Sequence, residues 1–350
     1  MSSRARVEQG LHVVWQRRGL AAQLLWPLTL LHRLWRGLRL TRKRRPLPVP
    51  VLVIGNLYVG GTGKTTLTIA LIEALRRRGW HPAVISRGYG AKVKLPREVD
   101  RRGLASDFGD EPLLIAQRTL APVAVGADRT AAAELLLRQH RDIDLLIADD
   151  GLQHRALARD CELALLDSRG LGNGWLLPAG PLRDPPERLR TVDAVVFHDQ
   201  PDQPRPVVRV HTPFFSMQTT LGEARSLKDG QRRIALPLLA QEQQQRQLKL
   251  LAACGIGVPE RFFAMLAAAG LQFDRLPLPD HYPFHGNPFQ GRTFDLVLLT
   301  EKDAVKCRAN PLLAADGRIC AVTLEAQIDP ELLDFVEARL RARSHGLQAA

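Results

Sequence analysis

The run Gly60-Gly-Thr-Gly-Lys-Thr-Thr66 carries the residue types that hold a polyphosphate. Glycines let backbone N–H groups curl around phosphate oxygens, a lysine at position 64 neutralises charge on the β- and γ-phosphates, and the Thr65 hydroxyl can ligate Mg²⁺. Gly60, Gly61, Thr62, Gly63, Lys64, Thr65 and Thr66 are therefore the candidate nucleotide-binding residues, with a nucleotide's phosphates and Mg²⁺ as the expected ligands. The match to G-x-x-x-x-G-K-[ST] is imperfect, because Tyr58 stands where the first glycine belongs. Asp149 and Asp150 follow the apolar run Leu145–Ala148. A carboxylate there would hold Mg²⁺ opposite the phosphate loop, as on a Walker B strand; an ordinary Asp-Asp-Gly turn is the alternative. The candidate metal ligands are Thr65, Asp149 and Asp150. His154, four residues on, reads by itself as structural.

These residues need a frame. Val51–Ile54 reads as a buried strand before the glycine-rich loop, and Leu67, Ala70, Leu71, Ala74 and Leu75 follow helical spacing after it. Ala83–Ser86, Pro122–Val125, Leu145–Ala148, Cys161–Leu166 and Ala194–Phe197 continue as short apolar strands, with a helix over 129–139. Such alternation predicts an α/β fold of the P-loop NTPase type: a mostly parallel sheet with helices on both faces, whose ligands sit beyond the carboxyl ends of the strands. From about residue 205 the pattern changes. Val207–Val210, Leu248–Ala253, Leu296–Leu299 and Ala321–Leu324 read as strands, and 259–269 and 331–343 as helices, of a second, smaller α/β unit. Gln241–Gln247 reads as a polar turn or short helix. The expected division is 1–45, 46–205 and 206–350.

The formal net charge of +13 is concentrated at the start. Residues 1–45 hold eleven Lys/Arg against the single acid Glu8, which leaves only +3 for the other 305 residues. Trp15, Trp26 and Trp35 share this segment, and Leu24, Leu28, Leu31, Leu34, Trp35 and Leu38 keep helical spacing. The apolar run Leu20–Leu31 has 12 residues, against the ~20 that span a bilayer. The segment reads as an amphipathic helix that meets a membrane surface through tryptophan and arginine, and Pro27 is expected to kink or divide it. A helical pair packed on the next unit, or a phosphate-binding arm at Arg42–Arg45, would use the same residues; no nucleic-acid fold accompanies them, so no nucleic acid is expected. The four cysteines form no CxxC pair, which points to a reducing compartment and against structural zinc. Nothing at the start reads as a cleaved signal peptide.

Longer phrases are more specific: Ser86-Arg-Gly-Tyr-Gly90, Gly109-Asp-Glu-Pro112, Val125-Gly-Ala-Asp-Arg129, Asp149-Asp-Gly-Leu-Gln-His154, Gly172-Asn-Gly-Trp-Leu-Leu-Pro-Ala-Gly-Pro-Leu-Arg183, Ala253-Cys-Gly-Ile-Gly257, Asp280-His-Tyr-Pro-Phe284 and Thr300-Glu-Lys-Asp303. In this order they resemble the tetraacyldisaccharide 4′-kinase (lipid A 4′-kinase) family over nearly the whole chain. The resemblance implies ATP- and Mg²⁺-dependent phosphorylation of the 4′-hydroxyl of tetraacyldisaccharide 1-phosphate, an acylated glucosamine disaccharide, to lipid IVA. It implies a peripheral protein on the cytoplasmic face of the bacterial inner membrane. It also implies a catalytic pair, Asp110 and His281, beside Lys64, and places Arg87, Arg129, Gln153, His154 and Arg183 around the substrate. On residues alone, His281 reads as structural and Asp110 as the N-terminal residue of a helix before Pro112. Asp184 stands where the family usually has Glu. With Asp110 in the first unit and His281 in the second, closure of a cleft is expected to bring them together. The competing reading is a membrane-recruited P-loop ATPase acting as a switch. The loop resembles that of partitioning-type ATPases, but Val59 replaces their signature lysine.

Overall fold

The computed structural model describes residues 14–15, 17–39, 45–91, 93–199, 203–208, 211–230 and 232–348. Among them thirteen strands join one sheet: β1 (Val51–Asn56), β2 (Pro82–Ser86), β3 (Arg97–Glu98), β4 (Val123–Val125), β5 (Leu145–Ala148), β6 (Cys161–Leu166), β7 (Ala194–Asp199), β8 (Phe214–Ser226), β9 (Arg233–Ala235), β10 (Leu250–Cys254), β11 (Phe273–Pro277), β12 (Leu296–Thr300) and β13 (Ile319–Ile328). The order is β11-β10-β12-β13-β8-β7-β6-β1-β5-β2-β4-β3, with β9 paired to β8. The helices that matter below are α1 (Leu20–Arg39), α2 (Lys64–Arg77), α3 (Asp110–Thr119), α4 (Arg129–Gln139), α5 (Leu236–Arg246), α6 (Pro259–Ala268), α7 (Glu301–Cys307) and α8 (Pro330–Gln348).

From β8 to β4 every neighbouring pair is parallel, and so is every pair from β13 to β11. The two blocks run in opposite directions and meet at the antiparallel pair β8–β13, whose register shifts between Val322 and Leu324. Alternation explains why the strands read as unbroken apolar runs. In β1, Leu52 and Ile54 enter one buried cluster while Val51 and Val53 enter another. In β10 and β12, Ala252 and Leu298 face one core while Ala253 and Leu299 face a second. Both faces of each block are thus covered, as parallel sheets require, and each fully buried Leu or Ile stabilises the fold by ~1.5–3 kcal/mol. Core residues of α2 pack with Val305 of α7 and Leu332, Val336 and Leu340 of α8, so the blocks share a core as well as a sheet.

The expected boundary at 205/206 falls in the β7–β8 connection. Val207 and Val208, however, are irregular, with Val207 88% exposed, and positions 209–210 of the expected strand lie outside the described residues. The next described strand is β8. As the seam between blocks it is only partly buried, with Ser216, Gln218, Thr219 and Thr220 along it, so it presents no apolar run. Gln241–Gln247 is the exposed end of α5, whose Leu236 and Leu239 are buried. Pro27 does not divide α1, which runs through it as one helix. The basic residues Arg4, Arg6, Arg42, Lys43 and Arg44 lie outside the described residues, as do the side chains of Trp35, Arg36, Leu38 and Arg39. All four cysteines are free and buried.

At the seam, a Cβ on Gly222 would collide with Thr323 Oγ1, which accepts the Glu223 N–H, and would sit 2.6 Å from Glu325 Oε1. Gly222→Ala should therefore destabilise the chain by about 1–3 kcal/mol in urea unfolding, whereas wild-type stability would show that the seam tolerates a side chain.

Candidate active site

The carboxyl ends of β1, β5, β2, β4, β6 and β7 lie along one edge, and the sequence-predicted residues gather there. β1 ends in Asn56, whose amide donates to the carbonyls of Tyr58 (2.7 Å) and Gly60 (3.3 Å) and whose Oδ1 accepts from Lys64 Nζ (3.1 Å). One side chain thereby shapes the phosphate loop and aims its lysine. The loop enters α2 through Gly63 at φ 97°, a left-handed geometry that favours glycine, and no side chain caps the helix. A Cβ at Gly63 would also lie 2.7 Å from His198 Nδ1. The first N–H groups of α2 thus stay free of a side-chain cap, which suits an anion. Tyr58, in place of the first glycine, is buried beneath the Arg169 guanidinium, 4.6 Å from its ring.

Asp149 and Asp150 are adjacent and meet different surroundings. Asp149 is buried; Oδ1 accepts from Thr68 Oγ1 at 3.1 Å, while the buried Oδ2 has no hydrogen-bond partner. Burial first, then the charges of Glu111 and Asp150, push its carboxyl above the usual range. Asp150 sits in left-handed backbone at φ 51° and accepts from Arg183 at 2.8 and 3.0 Å, with Lys64 Nζ 3.6 Å away. Burial would raise it too, but Lys64 and Arg183 outweigh that and hold it at about 2. The open oxygen belongs to Asp149.

Asp110 opens α3 after Gly109, whose φ of 92° packs its Cα against Gly88 and Tyr89 beyond β2. His281 follows β11 in the other block, in left-handed backbone at φ 57°. Their side chains meet: His281 Nδ1 is 3.2 Å from Asp110 Oδ2. The pair stands assembled in this conformation. Burial would raise Asp110; the hydrogen bond from His281 and the charges of Lys302, His281 and Lys306 prevail and hold it at about 2. An ionised carboxylate only accepts, so Nδ1–H donates and Nε2 is left as the outward nitrogen of a ring that is 43% exposed. Glu111, next on the helix, acts electrostatically on Asp149, which links the pair to the phosphate side.

The five residues expected around the substrate divide. Gln153 donates to the Asn56 carbonyl and to Asp184 Oδ2, both at 3.0 Å, so Asp184 is a buried brace behind the phosphate loop. Arg183 pairs with Asp150, and its N–H donates to the Leu57 carbonyl. His154 lies in the turn after Asp150, with its carbonyl accepting from Arg159. Arg87 is exposed beyond β2. Arg129 is buried at the start of α4, holds the Gly126 and Ala127 carbonyls, and is lowered to about 10 by burial and Arg87. Sequence reasoning missed Asn56, Arg169, His198 and Arg261. His198 Nδ1–H donates to the Thr62 carbonyl at 2.8 Å, and Arg261 of α6 donates to its Nε2 at 2.5 Å. Asp167 was findable, since it follows β6 as Asp149 follows β5; it orients Arg169, which donates to the Gly61 carbonyl. The initial segment docks beside this edge: Trp15 Nε1 donates to the Pro178 carbonyl and Arg18 Nε to that of Asn173.

A family profile described as Tetraacyldisaccharide-1-P 4′-kinase (LpxK) matches residues 21–341. The tetraacyldisaccharide 4′-kinases of Herminiimonas arsenicoxydans and Janthinobacterium sp. (strain Marseille) are each 47% identical to this chain, over 97% of it and 98% of theirs. LpxK from Aquifex aeolicus, solved in complex with ATP, superposes with a TM-score of 0.76 at 27% identity, covering 92% of this chain and all of that one.

The depressed Asp110 carboxyl sets an acid response. Its folded value lies below the ordinary 3.8, so its stabilisation is complete above that value and is lost as pH falls toward about 2. Asp110→Asn should remove this slope, roughly 2 kcal/mol across that window, from urea stability measured against pH. Parallel pH curves for variant and wild type would contradict it.

Proposed function

The chain belongs to the tetraacyldisaccharide 4′-kinase family, ATP-dependent kinases of lipid A biosynthesis, and we propose that the site described above transfers the γ-phosphate of ATP to the 4′-hydroxyl of an acylated glucosamine disaccharide 1-phosphate. The observation that carries this reading is a histidine–carboxylate pair whose Asp110 shares a helix turn with Glu111, the residue that acts on the phosphate-side Asp149. A switch ATPase has no need of such a base.

The residues divide the work. Gly60–Gly63 and the first turn of α2 bind phosphate oxygens, and Lys64, aimed by Asn56, neutralises their charge. Asp110 fixes the His281 tautomer, and Nε2 takes the proton of the attacking hydroxyl, a weak nucleophile without a base. Mg²⁺, when bound, supplies further neutralisation of phosphoryl oxygens. Asp149 fits it, with one buried oxygen lacking a partner, and Thr65 lies in the first turn of α2. Asp150 is engaged by Lys64 and Arg183 and acts as their organiser. Among the described residues no cluster of three metal-binding side chains exists, which suits an ion that takes one or two carboxylates plus phosphate and water. Gln153 and Arg183 brace the loop, while the exposed Arg87 is free to meet an acceptor phosphate.

For the acyl chains, α1 leaves Leu20, Leu24, Leu31 and Leu34 between 64% and 81% exposed beside Arg33. No described helix is long and apolar enough to cross a membrane. This apolar, cationic surface supports peripheral seating on the cytoplasmic face of the inner membrane, where the lipid acceptor lies. We assign 1–45 to that seat, 46–205 to nucleotide binding and 206–350 to the supply of His281.

Two experiments test these readings. With ATP, Mg²⁺ and the acylated disaccharide 1-phosphate in detergent, the chain should yield the bisphosphorylated lipid. Lys64→Ala should abolish turnover, and His281→Ala should lower kcat by about 10²–10⁴ with little change in KM for ATP. Absence of lipid product, or full turnover without the lysine, would refute the proposal. In flotation with anionic phospholipid vesicles, Leu24→Glu with Leu31→Glu should release the full-length chain; unaltered flotation would place the membrane contact elsewhere.

A further inference from the structure

Thr300-Glu-Lys-Asp303 has so far been given no task, although each of its charged side chains reaches a part of the site. Glu301 Oε1 accepts from Arg118 of α3 at 2.5 Å, and its Oε2 accepts the Leu324 N–H at 3.0 Å. Lys302 Nζ lies 2.9 Å from Glu111 Oε1 and 3.8 Å from Asp110 Oδ2. Asp303 is fully buried: Oδ2 accepts the Gly255 N–H (2.9 Å) and the Thr300 hydroxyl (2.6 Å), and Lys306 Nζ stands 3.0 Å from Oδ1. The Gly255 carbonyl in turn accepts the His281 N–H at 3.1 Å. A Cβ at Gly255 would meet the Pro279 carbonyl at 2.9 Å and Tyr282 Cβ at 3.0 Å, so only glycine lets Asp303 draw this turn in.

Resting on the catalytic pair assigned above, we propose that the Thr300–Asp303 turn is the positioning element of that pair, Lys302 holding the Asp110 carboxylate and Asp303 the backbone turn that presents His281. The contacts form a closed ring: Asp303 to Gly255, Gly255 to His281, His281 to Asp110, Asp110 to Lys302, and Lys302 back to Asp303 along the chain. This ring of hydrogen bonds, closed by the Lys302–Asp110 ion pair around a left-handed histidine, keeps the imidazole in register with its carboxylate. Neither Lys302 nor Asp303 touches the acceptor; both act through the pair.

Steady-state kinetics of the full-length enzyme test this. The groups facing Asp110 are His281, Lys302 and Lys306, with Glu111 beside it on α3, Tyr89 tilted against the His281 ring, and Asp280 facing Lys302. Lys302→Met removes one cation beside the Asp110–His281 pair, which makes a proton on the pair easier to hold, so the acid limb of kcat/KM should move to higher pH. The variant should also lose about ten-fold in kcat, part of the ~10²–10⁴ a general base contributes, with KM for ATP unchanged. Lys302→Arg should restore most of kcat and the wild-type limb. If Lys302→Met keeps wild-type kcat and pH profile while Asp110→Asn and His281→Ala are crippled, the pair stands and the positioning role falls. A loss of kcat without a moved limb and without rescue by arginine also overturns it, because an ion pair that merely supports the fold would behave so. Wild-type turnover in Asp110→Asn and His281→Ala would instead remove the pair itself, and this inference with it.

Discussion

The hydrogen bond between Asp110 and His281 is the constraint around which the molecule is arranged. Its two ends are 171 residues apart and belong to blocks of opposite strand direction. They meet only because one sheet carries both blocks and because the long strands β8 and β13 join them. Strand direction reverses at the pair β8–β13, whose register shifts between Val322 and Leu324. Residues of α2, α7 and α8 share one buried cluster across the two blocks. A pair built on a single element would need none of this; the arrangement puts the phosphate loop and the histidine proposed as base on separate supports.

Electrostatics at the edge follow from neighbours rather than residue type. Asp149 and Asp150 are consecutive and chemically identical, yet burial and two like charges raise the first while Lys64 and Arg183 lower the second. Asp110 and Glu111 also face different partners: the former accepts from His281, the latter from Lys302. Carboxylates pushed apart in this way take different roles without different chemistry.

The frame around the phosphate loop was readable because strands buried on both faces leave continuous apolar runs, as Val51–Ile54 and Leu145–Ala148 do. β8 was not, since a strand half-covered at a seam alternates polar and apolar residues without a fixed face. Within the site, Lys64 and the two aspartates were legible from local spacing. Asp110 and His281 were legible only through family phrases, because nothing local marks a pair that the topology brings together. His198 and Arg261 carry no phrase at all: the contact from α6 through His198 to the Thr62 carbonyl exists only once β7 lies beside the loop. Pro27 leaves α1 undivided, because a proline lowers helix propensity but leaves packing and the flanking turns to decide.

Two of the residues assigned chemical tasks, Asp150 and His281, occupy left-handed backbone. Aspartate and histidine enter that region more readily than most residues, and β-branched side chains almost never do. Replacement libraries at these positions therefore confound loss of a functional group with loss of the turn that carries it. Asparagine and glycine are the informative exchanges; valine, isoleucine or threonine would report on torsion angles instead of catalysis.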